Sequence, residues 1–290
     1  MTSKSSTLAS KIRGGDEFIV APGVFDMISA KIADRMGFSA LYMTGSGTVA
    51  SYLGLPDAGI ATYTDMVARA GRVAGGTRTP LIADADTGYG GLVNVRETVR
   101  GYEMAGVSAI QIEDQDFPKK CGHLTGHKLI PAEDMVSKIK VALDSRFSDD
   151  TLIIARTDAR KALGRDEAMR RAEMYVAAGA DILFYEAPAD VDEMREIGTR
   201  FGKDVPLLVN MVNGGVTPVL KPAELKELGF RIAIFPAAGV LAACQALTSV
   251  YGALKETGDA EQGGVGLFSF AEFNELMGFD DIVEFEERFG

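Results

Sequence analysis

The stretch LIADADTGYG, residues 81–90, decides how the chain is read. Leu81, Ile82 and Ala83 have the continuous apolar character of a strand covered on both faces, and Asp84 and Asp86 follow at once. Two carboxylates at the end of a buried strand repel each other and resist burial unless something positive neutralises them. Working outward, the same construction recurs. FIVAPG (18–23), ALYMTG (40–45), PLIADAD (80–86), AIQIED (109–114), LIIARTD (152–158), DILFYEA (181–187), PLLVNM (206–211) and RIAIFP (231–236) are all of strand length. Amphipathic stretches lie between them. Residues 93–106 place Val95, Val99 and Tyr102 on one face, and residues 165–181 do the same with Ala168, Ala172, Tyr175 and Val176. Gly37, Gly106, Gly179 and Gly229 stand where helices should stop before the next strand. Eight strands alternating with helices predict an α/β fold of the (β/α)8 TIM-barrel type rather than an open doubly wound sheet. The glycine-rich TGSGTVASYLG (44–54) lacks the G-x-G-x-x-G spacing of the rival fold.

At 290 residues, 47% apolar and 24% charged, the chain can bury a large core. It reads as one barrel domain over 1–290 with a polar N-terminal tail at 1–10. The C-terminal extension, 264–290, carries Phe268, Phe270, Phe273 and Leu276 after the barrel has closed, and a neighbouring subunit is the expected cover. The net charge of −11 argues against a nucleic-acid partner. No apolar run suits a signal core or a bilayer span, so no membrane partner and a cytoplasmic location are expected. Cys121 and Cys244 make no disulfide framework, and Cys244, in LAACQALTSV, reads as helix core.

In such a barrel the active site lies at the carboxyl ends of the strands. Those ends carry Tyr42, Thr44 and Ser46, then Asp84 and Asp86, Glu113 and Asp114, Arg156 and Asp158, Glu186, and Asn210. Asp84, Asp86 and Glu113 come without a histidine among them, and hard oxygen ligands suit Mg2+ or Mn2+ better than zinc. Asp86 is expected in direct contact with the ion, with Asp84 and Glu113 acting partly through water. The competing reading is a purely structural network of these acids with Arg156 and lysines. The loop EDQDFPKKCGHLTGHKLIP (113–131) is long for a βα connection and suits a lid. Within it, Cys121 stands beside Lys119, Lys120 and His123, whose positive charge would favour its thiolate and fit it for proton transfer. No predicted strand has an internal lysine, which disfavours Schiff-base chemistry.

Together, TGSGTVASYLGLPD, IADADTGYG, IEDQ, KKCGH, ARTDA, YEAP and NMVNGGVTP resemble the isocitrate lyase / phosphoenolpyruvate mutase superfamily over most of the chain. KKCGH points to its short lyase branch, which includes 2,3-dimethylmalate lyase, 2-methylisocitrate lyase, oxaloacetate hydrolase and the petal death protein. The resemblance implies Mg2+ held by Asp84 and Asp86, with Asp57 and Glu113 as outer acids. It implies that Tyr42, Thr44, Gly45 and Ser46 grip a carboxylate, that Arg156 binds substrate oxygens, and that Cys121 donates a proton. His123, Glu186 and Asn210 would line the same pocket. It further implies a homotetramer, a dimer of dimers, that exchanges its eighth helix between subunits. NMVNGG (210–215) and YEAP (185–188) look most like the dimethylmalate lyase and petal death group, and Ala237 and Ala238 weaken an oxaloacetate hydrolase assignment. The expected reaction is cleavage of a 2-alkylmalate-type dicarboxylate to a 2-oxo acid and a short carboxylic acid. The alternatives are 2-methylisocitrate cleavage, oxaloacetate hydrolysis to oxalate and acetate, and a catalytically silent barrel kept for binding.

Overall fold

The computed structural model describes residues 3–15, 17–120, 122 and 126–290. Eight parallel strands close on themselves in sequence order: β1 (Ile19–Val24), β2 (Leu41–Met43), β3 (Leu81–Asp84), β4 (Ala109–Glu113), β5 (Leu152–Thr157), β6 (Ile182–Tyr185), β7 (Leu207–Asn210) and β8 (Ile232–Phe235). The barrel is sealed by β1 against β8, with Ile19 opposite Ile232 and Pro22 opposite Phe235. Each strand lies where the apolar runs predicted it.

The helices α2 (Met27–Arg35), α3 (Gly45–Leu53), α4 (Tyr63–Gly76), α5 (Leu92–Met104), α6 (Ala132–Ser145), α7 (Ala159–Leu163), α8 (Arg165–Ala177), α9 (Val191–Phe201) and α10 (Pro222–Glu227) occupy the connections. Their starts and stops are local chemistry. Asp26 caps α2 by accepting from the Ser29 amide, and Thr62 with Asp65 forms a capping box on α4. Gly37, Gly106, Gly179 and Gly229 all take the left-handed conformation expected of a helix stop.

The core has two parts because strand side chains alternate. Ile19, Ala21, Tyr42, Ile82, Ala109, Leu152, Ile154, Ile182, Phe184, Leu208, Ile232 and Ile234 share the cluster within the barrel. Their neighbours, among them Val24, Met43, Ala83, Ile110, Ile153, Leu183 and Val209, pack with the helices. Val95, Val99 and Tyr102 of α5, and Ala168, Ala172 and Tyr175 of α8, are fully buried in that outer layer, as their spacing predicts.

The N-terminus differs from the expected polar tail. Residues Lys4–Gly14 form a helix, α1, capped by Ser3, and its Leu8, Ala9 and Ile12 join the cluster inside the barrel. Arg13 ties the helix to Asp149 and Asp150, just before β5, so α1 plugs the amino-terminal mouth. Three apolar residues at i, i+1 and i+4 make a face wide enough for that plug. Spread among serines, threonines and lysines, they scarcely register as an apolar run.

The chain divides into two compact units, residues 1–238 and 239–290. The boundary lies ahead of residue 264, from which the sequence set off its C-terminal segment. Beyond β8 come α11 (Ala238–Thr257), α12 (Phe270–Met277) and α13 (Phe279–Phe289). Cys244 is exposed rather than packed in a core. The reason is general to α11, whose Leu241, Leu247, Tyr251 and Leu254 are exposed as well. Phe268, Phe270 and Phe273 are also exposed. Among the described residues no helix is long and apolar enough to cross a membrane.

Candidate active site

The strand alternation that fills the barrel with aliphatic groups also decides what crowns it. Continuing the inward face of each strand by two residues leads from Ile82 to Asp84, from Ala109 to Gln111 and Glu113, and from Ile154 to Arg156. The same step leads from Phe184 to Glu186 and from Leu208 to Asn210. All are buried. Gln111 had no role in the sequence reading. It accepts the Tyr42 hydroxyl at 3.0 Å, which places Tyr42 beneath the polar layer as part of its floor.

The Asp84–Asp86 segment is built to face inward twice in succession. Asp86 has φ 48°, a left-handed conformation that aspartate tolerates better than most residues, and its amide donates to Asp84 Oδ1 at 3.0 Å. Its carbonyl accepts from the Glu113 amide at 2.9 Å. Behind the segment, the Tyr102 hydroxyl reaches the Asp84 carbonyl and the Lys138 ammonium donates to the Thr87 carbonyl at 2.8 Å.

Lys119 neutralises Asp86 and, with it, Asp57. Its ammonium is 2.7 Å from Asp86 Oδ1 and 2.7 Å from Asp57 Oδ1, with only 3% of the side chain exposed. Burial lowers its pKa, but Asp86, Glu113, Asp84 and Asp57 outweigh burial and hold the ammonium well above its usual value. The approach of the Asp57 loop depends on Gly59, at φ 69°: a Cβ there would lie 3.3 Å from the Lys119 amide nitrogen and 3.1 Å from the Phe117 ring.

Arg156 forms the second half of the site. Asp158 holds it by two bonds, Nε to Oδ2 at 3.0 Å and Nη2 to Oδ1 at 2.8 Å. Glu186 Oε2 lies 3.2 Å from Nη2 and Glu113 Oε2 lies 3.5 Å from Nε. Asn210 Nδ2 donates to Glu186, and the Phe184 ring sits under the guanidinium at 5.1 Å. Ala187, directly after Glu186, has φ 58°, a conformation costly for alanine by about 1–2 kcal/mol, and its amide donates to Glu186 Oε1 at 2.9 Å.

Thr44 caps α3, accepting from the Gly47 amide, and Gly45 begins the helix. A Cβ at Gly45 would come within 2.6 Å of Asp84 Oδ2 and 3.5 Å of Asp86 Oδ1, so the helix start lies directly against both acids. Ser46 is exposed at the same helix start. Cys121 and His123 lie outside the described residues. Gly122 between them is buried, and a Cβ on it would collide with Arg156 Nη2. The sequence reading did not foresee Lys119 as the partner of the acids, nor a supporting role for Asp158 or Asp114. The acidic strand ends and the lysine pair in KKCGH were visible signals, but which lysine meets which acid depends on how two loops fold together.

Both kinds of ion pair required by the purely structural alternative are present, so that alternative is tested by whether its charges balance. Among the described residues, Asp57, Asp86, Glu113, Asp158 and Glu186 pair with two cations, Lys119 and Arg156, and Asp84 lies beside them without an ion pair. Glu113 Oε1 is buried without a hydrogen-bond partner. Burial raises Glu113 well above the usual carboxylate range, against Arg156 and Lys119. Burial likewise raises Asp86 to about 6, opposed by Lys119 and assisted by Asp84 and Asp57. Among the described residues no three carboxylate, imidazole or thiolate side chains form a ready cation cage. The Lys119 ammonium nevertheless shows that Asp57 and Asp86 accept a cation. The donor set is all oxygen, which fits a hard divalent ion retaining some of its waters.

A parallel barrel with an acidic, arginine-bearing crown at its carboxyl mouth has the build of an enzyme of the (β/α)8 class. The phosphoenolpyruvate phosphomutase family model matches residues 9–255, and the chain belongs to the phosphoenolpyruvate mutase / isocitrate lyase superfamily. It is 48% identical over 277 residues to 2,3-dimethylmalate lyase of Eubacterium barkeri, covering 94% of each chain. It is 43% identical to 2-methylisocitrate lyase of Aeropyrum pernix, covering 91% of this chain and 84% of the relative. Among solved structures, oxaloacetate acetylhydrolase in complex with 3,3-difluorooxalacetate superposes with a TM-score of 0.93 at 36% identity, covering 99% of this chain and 97% of that one.

The raised Asp86 carboxyl sets a pH dependence. Its proton stabilises the folded chain at low pH, and that contribution is lost as pH rises through about 6. A divalent ion held by Asp86 would need the carboxylate and compete with the proton, so its effect would have the opposite sign. Thermal unfolding with and without Mn2+ should show little stabilisation by the ion at pH 5 and a clear rise in Tm at pH 7.5. Asp86→Asn should reduce the pH dependence. Equal stabilisation at both pH values would refute the assignment.

Proposed function

We propose that the protein is a divalent-cation-dependent carbon–carbon lyase. It cleaves a 2-alkylmalate-type 2-hydroxy dicarboxylate, of the 2,3-dimethylmalate kind, to pyruvate or another 2-oxo acid and a short carboxylic acid. The observation that carries the reading is the meeting of the Asp84–Asp86 pair with the α3 helix start on one side and of Arg156 with Glu186 and Asn210 on the other. Its 48% identity to a 2,3-dimethylmalate lyase supports the same reading.

Asp86 and Asp84, with Asp57 and Glu113 through water, would hold Mg2+, for which Mn2+ can substitute. Bound there, the ion would polarise the carboxylate and hydroxyl oxygens of a 2-hydroxy acid and favour loss of the hydroxyl proton. The chain's own residues supply the rest. The amides of Gly45 and Ser46 at the start of α3 receive the carboxylate, as helix starts receive anions, with Thr44 and Tyr42 shaping that end of the site. The hydroxyl proton passes to solvent water, C2–O becomes a carbonyl, and the C2–C3 electron pair passes to C3. That charge delocalises into the adjoining carboxylate, where Arg156 stabilises it. Cys121, with His123 beside it in the sequence, donates its thiol proton to C3 and completes the short acid. Glu186 and Asn210 border the departing fragment. NMVNGG and YEAP support the alkylmalate choice. The likeness to oxaloacetate acetylhydrolase supports a second reading, hydrolysis of oxaloacetate in the same site.

The protein works on small carboxylates in the cytoplasm, as a homotetramer built as a dimer of dimers in which the C-terminal helices, 264–290 included, pack on a neighbouring subunit. The exposed Leu241, Leu247, Tyr251 and Leu254 of α11 and the exposed Phe268, Phe270 and Phe273 support that arrangement, because solvent is a poor cover for so many large apolar groups.

Incubated with Mg2+ and 2,3-dimethylmalate, 2-methylisocitrate or oxaloacetate, the protein should release pyruvate from the first alone. Turnover of oxaloacetate alone would favour the second reading, and turnover of none, with no uptake of a divalent ion, would favour a binding protein. Cys121→Ser should lower kcat by about 10²–10⁴-fold, the usual contribution of a general acid, while Mg2+ affinity stays near wild type. Equal loss of both would give the loop a structural role instead. Sedimentation should show a tetramer, and Leu247→Asp should shift it to smaller species; a wild-type monomer at micromolar concentration would exclude the exchanged-helix assembly.

A further inference from the structure

We propose that Asp158 is a positioning residue for Arg156. It seats the guanidinium so that Nη1 is left for a substrate oxygen, while Asp114 fixes the backbone that carries both residues. The role of Arg156 in catalysis rests on the lyase reading above, whereas the seating does not depend on which substrate is cleaved.

Three carboxylates compete for this guanidinium, and only one of them holds it in a defined plane. Glu113 and Glu186 come no closer than 3.5 and 3.2 Å. Asp158 makes two hydrogen bonds, at 3.0 and 2.8 Å, in the parallel fork that fixes orientation as well as position. Glu186 also has other obligations, to the Ala187 amide and to Asn210. Without Asp158 the arginine would be divided between two acids that lie farther from it. With Asp158 in place, Nε and Nη2 are engaged, and no bond to a described residue uses Nη1.

The seat itself is anchored from behind. Asp114 is fully buried at the end of β4. Its carboxylate accepts from the Thr157 hydroxyl at 2.8 Å and from the Asp158 amide at 2.9 Å, the two residues that follow Arg156. It also accepts from the Tyr175 hydroxyl at 2.7 Å and Arg171 Nη1 at 3.0 Å, both on α8. One carboxylate thus ties the ends of two adjacent strands to an outer helix, at the point where β5 stops and the chain turns into α7. Gly122 fits over the seated guanidinium, since a Cβ there would meet Arg156 Nη2 and, at 2.7 Å, Asp158 Oδ1.

The test compares Asp158→Asn, Asp158→Glu, Arg156→Lys and the double variant Arg156→Lys/Asp158→Asn. In 15N–1H spectra the Arg156 Nε–H resonance, identified by its loss in Arg156→Lys, should be slowly exchanging in the wild type and lost to exchange in Asp158→Asn. On the substrate that the wild type cleaves, Asp158→Asn should lower kcat about a hundredfold, the scale of a misplacement of about 1 Å, with a smaller change in KM. Asp158→Glu should recover part of that loss. The double variant should be no slower than Arg156→Lys, because both changes remove one function. An unaltered Nε–H signal in Asp158→Asn, or losses that multiply in the double variant, would overturn the proposal. If Asp158→Asn does not fold, Asp158→Glu decides: a moved Nε–H resonance with an intermediate kcat supports the seat, and wild-type values for both refute it. If the wild type cleaves none of the candidate substrates, the lyase reading fails while the Nε–H comparison still decides the seating.

Discussion

Everything at the carboxyl mouth of this barrel depends on the cost of burying acids. Asp57, Asp84, Asp86, Glu113, Asp158 and Glu186 are all at most 9% exposed, and among the described residues Lys119 and Arg156 are the cations paired with them, Asp84 excepted. A carboxylate taken out of water must be paired, hydrogen-bonded or protonated. All three remedies occur together here. Lys119 pairs with Asp57 and Asp86, backbone amides serve Asp84 and Glu186, and burial pushes Asp86 and Glu113 toward their protonated forms. A site with unsatisfied negative charge is suited to receiving a divalent ion. It would be a poor choice if stability were the only demand.

The scaffold meets that cost by rigidity. The aliphatic layers inside the barrel carry the strand ends, and Asp84 and Glu186 each sit one inward step above a packed side chain, Ile82 and Phe184. The departures from ordinary backbone are confined to the same level: Asp86, Tyr89 and Ala187 are the non-glycine residues with positive φ among those described. Strain of that kind persists only where its surroundings over-determine it. Tyr102 and Lys138 brace the Asp84–Thr87 segment, and Asp114 braces the turn after Arg156.

The barrel was legible in the sequence because both of its signals are local. A parallel strand covered on both faces must be a short continuous apolar run, and a helix lying on it must show one apolar face and end in a residue that can reverse the chain. The eight runs and the stops at Gly37, Gly106, Gly179 and Gly229 satisfy those needs within windows of a dozen residues. The acids at the strand ends were legible for the same reason, since polarity at the end of a buried run is visible without a partner. The plug helix α1 was not, because Leu8, Ala9 and Ile12 become a face only once the chain is helical and the barrel mouth is there to receive them. Cys244 looked like core in an apolar helix, and it is exposed together with Leu241, Leu247, Tyr251 and Leu254 of the same helix.

The sequence by itself determined the architecture, the level of the site and the chemical character of its donors, because periodicity and composition act over short distances along the chain. Only the tertiary structure decided the pairings. Lys119 meets Asp57 across 62 residues, Asp114 receives Tyr175 across 61, and Arg156 chooses Asp158 over two competing glutamates. Coulombic attraction and hydrogen bonding fall off over a few ångströms in space and take no account of separation in sequence, so those choices could be made only when the loops had come together.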